Sequence, residues 1–267
     1  MIEVNDIYFS YDDYQVLNGI SFKVKTGEVL AVVGSNGSGK TTLLKHLNGI
    51  LKPKRGSVKV FGMDTRSVKI SELSRRIGLV MQNSDHQLFA SSVTDEISFA
   101  LRNFGFSKSE IDSHVREVLD EFGLYEFRSR PPLSLSGGEK KRLCIATVMA
   151  WQPEIVMLDE PTVGQDAVNK KNLRKIINRL SRDGKTVIIS THDLEFLWPI
   201  NPRTIVISHG KVLTDGSLRS ISLNGTVFAS ANLIAPQLAA LATGIGLNEP
   251  PVDEAHAVEM IKQWQKA

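Results

Sequence analysis

The sequence predicts an α/β fold: a parallel-sheet core, a small flanking antiparallel sheet, an inserted helical segment and a short C-terminal element. Three observations predict it. Four apolar runs (VLAVV, IGLV, IVML and TVIIS) each lead directly or within one residue into polar residues. Continuous rather than alternating apolar runs suit strands buried on both faces of a parallel sheet. The run GSNGSGKTT, Gly34 to Thr42, then joins the first of these runs to the helix-like LLKHLNGI. Strand, glycine-rich loop and helix start form the context of a phosphate-binding loop. Finally, from about Thr94 to Ala150 the period becomes helical, with Ile111, Val115, Val118, Leu119 and Phe122 on one face.

In chain order, IEVNDIYFSY, GISFKVKTGEV and GSVKVFGMD alternate and read as half-buried antiparallel strands. The phosphate loop follows VLAVV. IGLV and Met81 precede Gln82, and the helical segment then occupies about 86–150, broken by Pro131-Pro132 before its last helix. IVML precedes Asp159-Glu160, and TVIIS precedes Thr191-His192. Ligands of open parallel sheets lie beyond the carboxyl ends of the strands, so these polar endings are expected around one phosphate site. Near Gly216 the charged sequence gives way to an Ala-, Leu- and Asn-rich tail. The expected division is therefore 1–216 and 217–267.

Composition excludes some classes. At 267 residues the chain can bury a sizeable core, and its net charge of +3 is too weak a field to imply nucleic-acid binding. The one cysteine, Cys144, lies among apolar residues and reads as core filler, in a chain suited to a reducing compartment. The opening MIEVNDIYFSYDD does not read as a signal peptide, and polar residues and Pro236 interrupt the uncharged stretch from Ser220 to Asn248 before it can span a membrane.

The chemistry is concentrated in a few residues. Gly34, Gly37 and Gly39 let the backbone curl so that N–H groups of Ser35, Asn36, Ser38 and their neighbours face an anion, reinforced by the helix start. Lys40 reaches β- and γ-phosphates, the Thr41 hydroxyl suits Mg²⁺, and Thr42 continues the loop into the helix. An ordinary glycine turn would not match at every position. Asp159 is a candidate Mg²⁺ ligand, and Glu160 is a candidate base or orienter for an attacking water. In LSLSGGEKKRLCIATVMA, Ser136, Gly137 and Gly138 open a second helix whose start can also receive an anion.

LSGGE, with the nucleotide motifs on either side in this order, resembles the ATP-binding-cassette (ABC) ATPases, from Met1 to about Gly216. The resemblance implies a P-loop NTPase of ABC fold that hydrolyses ATP with Mg²⁺. It implies nucleotide sandwiched between two protomers, with Ser136, Gly137 and Gly138 of one completing the phosphate loop of the other. It also implies that Gln82 senses Mg²⁺ and the attacking water, that His192 contacts the γ-phosphate, and that Tyr11 stacks on adenine. Asp166 matches the aspartate of the loop after the catalytic glutamate. Gln165 departs from the leucine usual before that aspartate, which bears on contacts across the dimer.

QNSDHQLFASSVTDEISFAL, Gln82 to Leu101, further resembles energy-coupling-factor (ECF) transporters, including cobalt and nickel uptake ATPases, with Ser84 where a proline is usual. Asn232 to Gln237 and the Leu/Ala helix after it resemble that group's dimer-stabilising C-terminal element. The implied assembly is two ATPase chains, identical or paralogous, docked on a membrane scaffold. The scaffold carries a small substrate-binding membrane subunit for a vitamin or metal ion, and the ATPases lie on the cytoplasmic face of the cell membrane. Another ABC transporter class, exporters included, is the alternative, and the 82–101 stretch disfavours it. Repair ATPases carry a long coiled coil and translation factors usually two cassettes, neither of which is seen here. Lys40, Asp159, Glu160 and His192 are all present, against an inactive homologue.

Overall fold

The structure is a computed structural model that describes residues 1–264. It begins with β1 (Ile2–Tyr11) and β2 (Tyr14–Val24), paired antiparallel. The apolar alternation of β1 skips a step: Ile2, Val4, Ile7 and Phe9 all face the core, because Asp6 takes a positive φ of 47° and the register shifts there. A bulge of this kind resets which face the side chains occupy. β2 starts earlier than the alternating stretch suggested, and the chain turns at Gly27 (φ 74°) into β3 (Val29–Val33).

After β3 come α1 (Lys40–Leu47), β4 (Arg55–Val60), β5 (Met63–Asp64), the single turn α2 (Ile70–Leu73) and β6 (Ile77–Val80). β4 and β5 complete the expected antiparallel sheet, in the order β2-β1-β4-β5. The helical segment supplies α3 (Val93–Phe104), α4 (Lys108–Glu121) and α5 (Gly137–Met149). α3 is capped by the Ser92 side chain and ends on left-handed Gly105, while α4 opens with a capping box of Ser107 and Glu110.

β7 (Ile155–Asp159), α6 (Ala167–Arg182), β8 (Thr186–Thr191) and the short α7 (Leu194–Leu197) follow. Two further strands, β9 (Arg203–Ser208) and β10 (Lys211–Ser217), were not among the four apolar runs. The main sheet runs β10-β9-β3-β8-β7-β6, parallel except for the β9–β10 hairpin. Val33 pairs with Thr191, Asp159 with Ser190 and Val80 with Leu158, so the carboxyl ends of all four expected strands open on one edge.

The sheet has a core on each face. Leu30 and Val32 pack with Ile188, Ile205, Leu43 and the antiparallel sheet, while Ala31 and Val33 pack with Ile189, Val206, Leu143 and the helical segment. The tail forms α8 (Leu218–Ser222), α9 (Gly225–Ser230), α10 (Gln237–Gly244) and α11 (Glu254–Trp264). Its Leu218, Ile221, Phe228, Ala231, Leu233 and Ala239 are buried in the same cluster as the helical segment. Trp198 Nε1 donates to the Pro251 carbonyl at 3.2 Å, and the Gln237 N–H donates to Glu195. The residues after Gly216 thus pack on the same core as the helical segment.

Candidate active site

At the carboxyl edge of the main sheet, a cleft of about 440 Å³ is lined by Tyr11, Tyr14, Val16, Asn36, Gly37, Gly39, Lys40, Thr41, Thr42, Gln82 and Glu160. Its loop requires glycine at specific points. Gly37 and Gly39 have φ of 79° and 106°, in the left-handed range that other residues enter at a cost. A Cβ on Gly34 would run into the Ile207 carbonyl and the Ser38 side chain. Gly39 is also the N-cap of α1. Among the described residues no side chain caps that helix and no acid occupies its first turn, so its N–H groups stay available to an anion.

Lys40 is buried at the floor. Its Nζ donates to the Gly34 carbonyl at 2.7 Å and the Ser35 carbonyl at 3.1 Å, and lies 3.1 Å from Glu160 Oε1. Glu160 Oε1 accepts no hydrogen bond among the described residues, so this last contact is an ion pair with poor hydrogen-bond alignment. The other carboxylate oxygen, Oε2, sits 3.0 Å from His192 Nδ1. Glu160 therefore stands between the lysine and the histidine. Its φ of 44° is a costly conformation for a non-glycine residue, fixed here by its N–H donating to the Ser190 carbonyl at 2.9 Å.

Thr41 Oγ1 donates to Asp159 Oδ2 at 2.8 Å, and Ser190 Oγ donates to Asp159 Oδ1. Ser190 is a partner the sequence reading missed. It ends the polar side of TVIIS, and only the β7–β8 register puts it beside Asp159. Tyr14, 72% exposed, lines the lip of the cleft beside Tyr11.

These residues fit ATP and Mg²⁺. The Ser38 hydroxyl is buried inside the phosphate loop without a partner among the described residues, an orphan that a phosphate oxygen would satisfy. No group of three or more His, Cys, Asp or Glu side chains gathered to hold a metal occurs among the described residues. Mg²⁺ held together with phosphates needs only one or two protein ligands, and the Thr41 hydroxyl and Asp159 carboxylate are adjacent.

Ser136, Gly137 and Gly138 do not line this cleft. They begin α5, where Ser136 Oγ accepts from the Glu139 N–H at 3.4 Å and Glu139 Oε2 accepts from the Ser136 N–H at 2.8 Å, a capping box. A second cleft, about 380 Å³, joins Gln82, Asn83, Ser84 and Asp85 to Gly137, Lys140 and Lys141 of α5 and to Val163, Gly164 and Gln165. Gln82 belongs to both clefts. Cys144 is buried in α5, and burial pushes its thiol up to about 11, which agrees with a packing role.

Residues 17–163 match the family model described as ABC transporter. The chain is 41% identical to an energy-coupling factor transporter ATP-binding protein, EcfA, of Methanocaldococcus jannaschii, over 90% of this chain and 88% of that one. In structure it is similar to CbiO1 of Clostridium perfringens, described as part of an ABC transporter complex, with a TM-score of 0.77 and 33% identity over 90% and 97% of the two chains. It is also similar to a dimeric ATP-binding cassette in a post-hydrolysis state with ADP and Pi, with a TM-score of 0.74 and 26% identity over 82% and 99%. The chain belongs to the ABC transporter family, as one of its ATP-hydrolysing subunits.

Proposed function

We propose that this chain is an ATPase subunit of an ECF-type importer, working as one of two ATPase chains on the cytoplasmic face of a membrane scaffold. The imported solute would be a vitamin or a metal ion, taken by a separate membrane subunit. One observation carries the ECF reading: similarity to EcfA covers 90% of the chain. That share exceeds what residues 1–216 could supply, so it reaches into the tail. No described helix is long and apolar enough to cross a membrane. Attachment through a partner accounts for membrane work by such a chain.

The residues divide the reaction as follows. Backbone N–H groups from Gly34 to Thr42 and the start of α1 hold the phosphates, with the adenine against Tyr11. Lys40 exchanges its carbonyl partners and Glu160 for phosphate oxygens, which frees the Glu160 carboxylate to orient or deprotonate water in line with the γ-phosphate. His192, 47% exposed and touching Glu160, is placed to follow the γ-phosphate. Thr41 and Asp159, with Gln82 on the same cleft, would hold Mg²⁺, which when bound would supply positive charge against the phosphates. Ser136, Gly137 and Gly138 of the second chain would close the site; the Ser136 hydroxyl accepts from Glu139, so its own proton is free for a phosphate oxygen.

The surface from Asp85 to Phe89 is the proposed docking place for the scaffold. Phe89 is 63% exposed and stands edge-on to exposed Phe99, with ring centroids 4.8 Å apart. The Glu96 carboxylate holds the strand of chain beneath by accepting from the N–H groups of Phe89 and Ala90. Gln87 points inward to Met81 and Cys144, so a crosslinking cysteine belongs at exposed His86 instead. The test is purification of the tagged chain from membranes in mild detergent. A scaffold, a second ATPase chain and a small multi-span substrate-binding subunit are expected to come with it. A soluble complex with DNA or ribosomes would overturn the reading.

A further inference from the structure

Lys141 stands one residue past the basic neighbour that reaches solvent, yet it is 4% exposed. From the second turn of α5 its ammonium donates to the Met81 carbonyl at 3.0 Å and to the Gln82 carbonyl at 2.8 Å. Among the described residues it forms no salt bridge; burial pulls its basicity down, offset in part by the more distant charge of Asp159. A buried cation without an acid partner is costly, and two peptide carbonyls are a meagre replacement for water. Core packing would be served better by leucine or methionine at this point of the helix. The cation is therefore doing something that an apolar residue could not.

Its two acceptors identify that task. Gln82 is the residue shared by the phosphate cleft and the cleft at the start of α5. The same short segment is tied to α5 twice more and braced once within itself. Lys140 pairs with Asp85 at 2.8 Å, Gln87 Oε1 accepts from the Met81 N–H at 3.0 Å, and Gln87 Nε2 donates to the Cys144 carbonyl at 3.4 Å. Of these, only Lys141 grips the peptide of Gln82 itself.

We propose that Lys141 is a positioning residue that locks the backbone of Gln82 to α5, so that the Gln82 side chain is presented to the phosphate site only in step with that helix. Lys141 does not line the phosphate cleft; it lies on the second cleft, at the start of α5. It lies five residues beyond Ser136, about 7.5 Å along the helix axis at 1.5 Å per residue. Whatever moves the start of α5 thus moves Gln82 with it. The inference rests on the reading that Gln82 serves the ATP site.

A double-mutant comparison tests it in the full-length protein. Lys141→Met should bind nucleotide within about threefold of the parent and melt within about 5 °C of it, while kcat falls about 10- to 100-fold, as a misplaced positioning group does. Lys141→Arg, which can still donate to both carbonyls, should recover most of that loss. In a Gln82→Ala background, Lys141→Met should lower kcat by less than about twofold, because its effect is already spent. Should Lys141→Met not fold, Lys141→Gln carries the same comparison. Full turnover in Lys141→Met, or the same fold-loss with and without Gln82, overturns the proposal. Full turnover in Gln82→Ala alone would count instead against the place of Gln82 in the site, and would be seen before Lys141 is touched.

Discussion

The two helix starts to which the proposed function gives phosphate are built in opposite ways. α1 begins on Gly39 at φ 106°, with no side-chain cap and no acid in its first turn among the described residues, and with Lys40 buried beneath it. α5 begins on Ser136 in extended backbone, closed by a reciprocal box with Glu139. The first end is left open and positive at some cost, as befits a site that must hold a polyanion by itself. The second is satisfied before any ligand arrives and carries a carboxylate in its first turn, so it is stable alone and poorly suited to holding phosphate alone. On the proposed function, the difference would give affinity to α1 and completion of the site to α5.

The largest effects should come from the open end. Lys40→Ala should abolish measurable nucleotide binding at the site, read by equilibrium titration with a fluorescent ATP analogue. Glu160→Gln should keep that binding and slow turnover by about 10²–10⁴. Near-normal steady-state hydrolysis in that variant would remove Glu160 from its role. At the closed end the effect should be split. Ser136→Ala should cost roughly 1 kcal/mol of stability, typical for a lost cap, seen as a lower denaturation midpoint. Its nucleotide affinity in the isolated chain should be unchanged, and any defect should appear only when two chains close.

Much of the first helix start was legible in the sequence. Gly34, Gly37, Gly39, Lys40 and Thr41 each have a local reason to stand where they do, and VLAVV needs no tertiary context to be read as a buried strand. Asp159, Glu160 and His192 were legible as endings of apolar runs, since a parallel sheet brings such endings to one edge. Ser190 was not, because its partnership depends on the β7–β8 register. RTIVIS, the strand β9, was passed over although Pro202 and the His209–Gly210 turn bracket it. Its ending, Ser208-His209, is as polar as that of TVIIS, so the same signal was present there. Lys141 was hidden for a physical reason: in KKR on a helix the sequence shows three cations, and only packing decides which one is buried.

A gentler change sharpens the contrast further. Glu139→Gln keeps a side chain able to complete the capping box and removes its charge. It should leave stability nearly unchanged and tighten ATP-dependent association of two chains severalfold, measured by analytical ultracentrifugation in the Glu160→Gln background. Weaker association would mean that the carboxylate helps the closed state. The smallest effect concerns pH. The Ser136 N–H and hydroxyl hold the Glu139 carboxyl below its ordinary range. A carboxyl lowered in the folded state stabilises above its unfolded pKa, and that contribution is lost as pH falls through the folded value. Amide protection at residues 137–140 should therefore hold from pH 8 to about 5 and decline at more acidic pH.

Mixed dimers test most directly the claim that one end binds and the other, from a second chain, completes. One dimer carries Lys40→Ala on one chain and Ser136→Ala on the other; a second carries both changes on one chain opposite an unaltered partner. If α5 completes the site of the opposite chain, both lesions of the first dimer fall in one site and leave the other intact, whereas the second dimer has one lesion in each site. Single-turnover trapping of nucleotide in obligate mixed dimers should then succeed in the first dimer and fail in the second. Trapping in the second dimer and not in the first would contradict the account.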